Sequence, residues 1–174
     1  MRPINLIVIH CSATPNDDTL FRGRVGDAGF QTPLTAIDSW HRKRGFRRDP
    51  AARAIFNPDL GAIGYHYVIY RAGVVVTGRG EAEIGAHAQG YNARSIGVCL
   101  VGIDAYTPSQ WESLRTLVIG LLARYPLARV LGHRDLSPDI DGDGTVERHE
   151  WLKTCPGFDV AAWLAGGMRI PQES

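Results

Sequence analysis

At 174 residues the chain is long enough for one domain with a substantial hydrophobic core and short for two. Lys and Arg number 19 against 18 Asp and Glu, so no overall field of one sign draws in nucleic acid or an anionic membrane, and neither is expected as a partner. Cys11, Cys99 and Cys155 cannot all pair with one another, which fits a reduced compartment or a thiolate ligand better than a disulfide framework.

The N-terminus carries Arg2 and a short apolar run, too brief for a secretion signal with its cleavage site or for a membrane span. Synthesis in the cytoplasm without a signal peptide is the expectation, so a substrate outside would be reached by a route the chain does not supply. Ile4 to Ile9 is continuous, apolar and rich in β-branched residues, which predicts a central strand covered on both faces and ending at His10. Pro15 to Pro33 holds Asn16, Asp17, Asp18, Asp27 and several glycines, and predicts a long loop at the rim of a cleft. Leu34, Ile37, Trp40 and His41 recur at helical spacing, with Thr32 or Thr35 available as cap and Gly45 near the end.

Gly64 to Tyr70 and Val74 to Val76 flank Arg71-Ala72-Gly73, the pattern of a hairpin, and Ser95 to Val101 reads as a further strand. Thr107 and Pro108 open a helix in which Trp111, Leu114, Leu117, Val118, Leu121 and Leu122 make one apolar face. Arg129 to Leu131 predicts a short strand leading to His133, and Val160 to Leu164 a last short helix before a polar tail. Strands alternating with helices in this order predict an α/β fold, a mixed central β-sheet flanked by helices, as one domain over residues 1–174.

Two groups of residues carry metal chemistry. His10, His133 and Cys155 offer two neutral imidazoles and a thiolate, a suitable three-ligand set for zinc that leaves a fourth position open for water. They lie far apart in the chain, so spacing alone does not single them out. Residues 139–150 are different: Asp139, Asp141 and Asp143 fall at positions 1, 3 and 5, Gly144 at 6 and Glu150 at 12 of an EF-hand calcium loop. Thr145 would add its backbone carbonyl and Glu147 would act through water. Ser137-Pro138 disfavours an entering helix, so the loop is expected to stiffen the connection from His133 to Cys155 rather than to work as a switch.

The segments Ile7-Val-Ile-His10-Cys-Ser-Ala-Thr14, Gly64-Tyr-His-Tyr67, Gly85-Ala-His-Ala88, Asn92-Ala-Arg-Ser-Ile-Gly97, Gly132-His-Arg-Asp135 and Lys153-Thr-Cys-Pro156 resemble, in order, the motifs of the type-2 N-acetylmuramoyl-L-alanine amidases. That family shares its fold with the peptidoglycan-recognition proteins. The resemblance covers nearly the whole chain. It implies zinc on His10, His133 and Cys155 in a cleft over the sheet, with Tyr65 and Lys153 supplying oxyanion stabilisation and a proton for the leaving amine. It also implies bacterial peptidoglycan as partner, with His87, Asn92 and Arg94 binding the glycan or stem peptide.

Cytoplasmic recycling members of the family usually carry Asp at the third ligand position, so Cys155 points to the lytic branch: a monomeric phage or prophage endolysin that cuts between N-acetylmuramic acid and L-alanine in the host periplasm, released through a separate pore. A muropeptide-recycling amidase and a non-catalytic peptidoglycan-binding module are the alternatives. His66 is expected to be structural, His41 a surface or packing residue, and Cys11 and Cys99 core thiols.

Overall fold

The computed structural model describes residues 2–171. Five strands form one sheet in the order β3-β2-β4-β1-β5: β1 is Leu6–Cys11, β2 Tyr67–Ile69, β3 Val75–Thr77, β4 Ser95–Leu100 and β5 Arg129–Gly132. β1 runs parallel to β4 and β5, and β2 parallel to β4; β3 is the antiparallel edge strand of the hairpin. The expected mixed sheet flanked by helices is present.

All six residues of β1 and all six of β4 are buried, as continuous apolar strands require when helices cover both faces of a sheet. One face sends Ile7, Ile9, Ile96, Val98 and Leu100 against helix α3 (Pro108–Arg124), through Trp111, Leu114, Val118 and Leu121, and against Trp163 of α4 (Val160–Ala165). On the other, Val68, Cys99 and Val101 pack with Ile37 of α1 (Pro33–Lys43), Leu60 and Ile63. The period of two places His10, in register with Cys99, on this second face.

Caps fix where the helices begin. Thr32, rather than Thr35, caps α1: its Oγ1 accepts from the Thr35 amide at 3.2 Å, and Thr35 Oγ1 accepts from the Thr32 amide at 2.9 Å. Thr107 caps α3, and the buried Gln110 of the same capping box donates to the carbonyls of Val101 at 2.8 Å and Ile69 at 3.3 Å, tying the helix start to the sheet.

Three expectations are corrected. β1 begins two residues later than the apolar run and continues through His10 and Cys11, because pairing with β4 extends that far. A short helix α2, Pro50–Ile55, lies where none was predicted, capped by Asp49, whose side chain accepts from the Ala52 amide at 2.9 Å. The segment between Pro15 and Pro33 contributes none of the residues that line the cleft over the sheet: Leu20 is buried in the core beside α1 and Phe21 packs edge-on to Tyr70 at 5.6 Å.

Candidate metal and amidase site

His10 is delivered by the end of β1 and is 1 % exposed. His133 opens a 3-10 turn, His133–Leu136, directly after β5, and Cys155 lies in the segment after the acidic loop. One donor atom from each of the three lies within 4.8 Å of the other two, and the His10 and His133 rings are 4.5 Å apart between centroids. Two backbone bonds hold this convergence: the Arg134 amide donates to the Cys155 carbonyl at 2.8 Å, and the Cys11 amide donates to Cys155 Sγ at 3.1 Å.

The electrostatics suit a cation. Burial, then the neighbouring His87, His133 and His41, hold the His10 pKa well below the ordinary histidine value. Burial and the Lys153 ammonium take His133 down to about 4. Both rings are neutral at physiological pH and offer lone pairs. A hydrogen bond with the Cys11 thiol and burial push the Cys155 thiol up, against the opposing pull of the Cys11 amide. A metal bound here would take the place of that proton, as it does on coordinating thiols.

Above these residues is a cleft of about 560 Å³, lined in part by Ser12, Tyr65, His133, Lys153 and Cys155. Tyr65 stacks at 5.1 Å from His10 and 5.2 Å from His41. Burial and the thiols of Cys99, Cys155 and Cys11 raise its pKa well above that of a free phenol, so it stays a hydrogen-bond donor. The three residues that could hold a metal and the two candidate donors are thus brought to one cleft.

The substrate-binding candidates divide. His87 and Asn92 line the cleft. Arg94 is exposed, stacks over the Tyr91 ring at 5.1 Å, and is not among the lining residues. His41, Arg44, Phe46 and Gln89 also line the cleft and were not singled out for it by the sequence. His41 is 4 % exposed and accepts from the Gly64 amide at 2.9 Å, which makes it a packing residue with one side open to the site. His66 is fully buried and accepts from the Gly97 amide at 3.0 Å, a structural role as expected.

In the acidic loop, oxygens of Asp139, Asp141 and Asp143 lie within 4.8 Å of one another, and donor atoms of Asp141, Glu147, His149 and Glu150 form a second such group. Gly144 has φ +91°, and its amide donates to Asp139 Oδ2 at 2.9 Å. Glu150 is buried and accepts from the amides of Ile140 and Glu147. A 3-10 turn, His133–Leu136, precedes the loop and another, Arg148–Glu150, closes it, so no α-helix enters it. His149 is a donor the EF-hand pattern does not include.

A family model described as N-acetylmuramoyl-L-alanine amidase matches residues 1–158. The endolysin of Escherichia phage T7 is 35 % identical over 165 residues, covering 90 % of this chain and 83 % of its own. Among solved structures, the N-acetylmuramoyl-L-alanine amidase LysC from Clostridium intestinale superposes with a TM-score of 0.64 at 24 % identity, covering 98 % of this chain and 88 % of its own. Drosophila PGRP-LB superposes with a TM-score of 0.61 at 21 % identity, covering 98 % and 85 %. At these identities the two structures speak for the fold alone. No helix among the described residues is long and apolar enough to cross a membrane.

Proposed function

The chain belongs to the N-acetylmuramoyl-L-alanine amidase family, and from that premise we propose that it hydrolyses the amide between N-acetylmuramic acid and L-alanine of bacterial peptidoglycan, with zinc held by His10, His133 and Cys155. The observation that carries this reading is the convergence of the three donor atoms within 4.8 Å beside a cleft that also holds Tyr65 and Lys153. Zinc, when bound, supplies Lewis acidity, activating water near neutral pH and polarising the scissile carbonyl.

The remaining chemistry falls to the chain. Tyr65, a protonated phenol beside His10, donates to the carbonyl oxygen as negative charge develops on it. The Lys153 ammonium, close enough to depress His133, faces the same developing charge, and these two donors are the groups from which the departing L-alanine nitrogen takes its proton. Asn92 Oδ1 accepts from the amides of His87 and Ala88 at 2.8 and 2.9 Å and so shapes the loop that borders the substrate. Arg94 is proposed to reach substrate only beyond the cleft.

The relatives named endolysin support a lytic role on the cell wall, and we propose in addition that the protein acts as a monomer and reaches the wall through a separate pore. Intact sacculi and soluble anhydro-muropeptides offered in parallel test this: an endolysin solubilises sacculi, and activity confined to the soluble fragments marks a recycling enzyme. We further propose that residues 139–150 take one calcium ion as a structural clamp, through Asp139, Asp141, Asp143, the Thr145 carbonyl and Glu150. The complete EF-hand pattern and the gathered Asp oxygens support this.

A further inference from the structure

From His10 through His87 to Ser95 runs a chain of hydrogen bonds whose direction is fixed at its far end. Ser95 Oγ donates its one proton to the Tyr91 carbonyl at 2.9 Å. Its contact with His87 Nε2, at 3.3 Å, therefore has the histidine as donor. With the proton on Nε2, His87 Nδ1 is an acceptor, and it lies 2.9 Å from His10 Nε2. His10 Nε2 carries the proton of that bond, and His10 Nδ1 is left with the free lone pair.

The place for the His87 ring is built. A Cβ on Gly97 would lie 2.6 Å from His87 Cδ2, and one on Gly85 would lie 2.5 Å from the same atom, so glycine on both sides makes the room. The two bonds to Asn92 Oδ1 fix the His87 backbone. The ring meets His10 edge-on at 86°, with centroids 4.9 Å apart.

We propose that His87 is a positioning residue: by accepting the His10 Nε2 proton it selects the tautomer and ring orientation in which His10 presents Nδ1 to the metal, with Ser95 fixing His87 in turn. This inference rests on the zinc reading of the site and replaces a direct substrate contact as the main task of His87. Partners of this kind raise ligand basicity, and their loss typically costs about 10–100-fold in metal affinity.

The test has two arms. Long-range ¹H–¹⁵N correlation on metal-free, histidine-labelled protein is expected to show His10 and His87 both protonated at Nε2; a proton on His10 Nδ1 overturns the proposal. Zinc affinity by competition with a chelator is expected to fall about 10–100-fold in His87→Ala and to recover in part in His87→Gln, whose carbonyl can accept the same proton. Should His87→Ala not fold, Ser95→Ala carries the test, with a smaller loss expected. Unchanged zinc affinity with a raised KM overturns the inference and returns His87 to substrate binding. A wild-type protein that takes up no zinc overturns the reading of the site itself, which distinguishes the two failures.

Discussion

The backbone amide of Cys11 points at the sulfur of Cys155, 3.1 Å away across 144 positions of chain. Cys11 follows His10 on β1, so one strand end supplies a proposed zinc donor from a side chain and a hydrogen bond to the third proposed donor from the backbone. Such a bond stabilises a thiolate and is available only once the segment after the acidic loop has docked.

Loss of that sulfur should therefore be felt first as loss of metal. Cys155→Ser is expected to lower bound zinc from about one per chain to a small fraction, measured by elemental analysis after dialysis, because a hydroxyl is a far poorer zinc ligand than a thiolate. Activity should fall with it. A Cys155→Ser protein that keeps full zinc contradicts the assignment.

Tyr65→Phe and Lys153→Ala are expected to retain zinc and fold while kcat falls by about 10²-fold or more, the loss associated with removing one oxyanion donor. Zinc content and kcat measured on the same preparations decide this. A rise in KM with kcat unchanged would move either residue from the chemistry to ground-state binding.

Stability should fall as pH drops from about 6.5 to about 4. Burial takes His66 and His41 each down to about 4 in the fold, from an ordinary value of 6.5. Above pH 6.5 both states are neutral; below it the unfolded chain binds protons that the fold resists, so stability declines until about pH 4, where the fold also titrates. The fully buried His66 ring contributes on the order of 2 kcal/mol across that window, and His41, with one side open to the cleft, contributes less. Urea midpoints at pH 7 and pH 4.5 measure it, and His66→Gln should narrow the gap; an unchanged gap shows that His66 is not its source.

The sheet and its main helices were legible because their signals are local: the continuous apolar runs of β1 and β4, caps at Thr32 and Thr107, and the apolar face of α3. The cluster of His10, His133 and Cys155 that could hold a metal was legible only through its motifs, since the three meet only after β1 and β5 pair. What was hidden depends on packing at a distance. His41 lines the cleft beside Tyr65, and Arg94 stacks on Tyr91 and is not among the lining residues. α2 did carry a readable signal in Asp49-Pro50, a cap followed by proline at the first helical position.

Trp151 offers a reporter for the calcium loop: its indole Nε1 donates to the Val146 carbonyl at 3.3 Å, and the Arg134 guanidinium covers its ring at 4.1 Å. Terbium bound at residues 139–150 is expected to luminesce on excitation of tryptophan, with Glu150→Gln weakening the signal, and calcium is expected to raise Tm in zinc-restored, chelator-treated protein. No response of either to the ion at about millimolar concentration, the weak end of such loops, leaves only an acidic turn.

Digestion of purified sacculi by the zinc-loaded protein, with new amino termini and new reducing ends quantified on the same sample, tests the central claim most directly. Free L-alanine amino groups are expected without new reducing ends, with loss of both digestion and new termini on chelation and recovery on adding zinc. New reducing ends, or full digestion by a demonstrably zinc-free preparation, would contradict it.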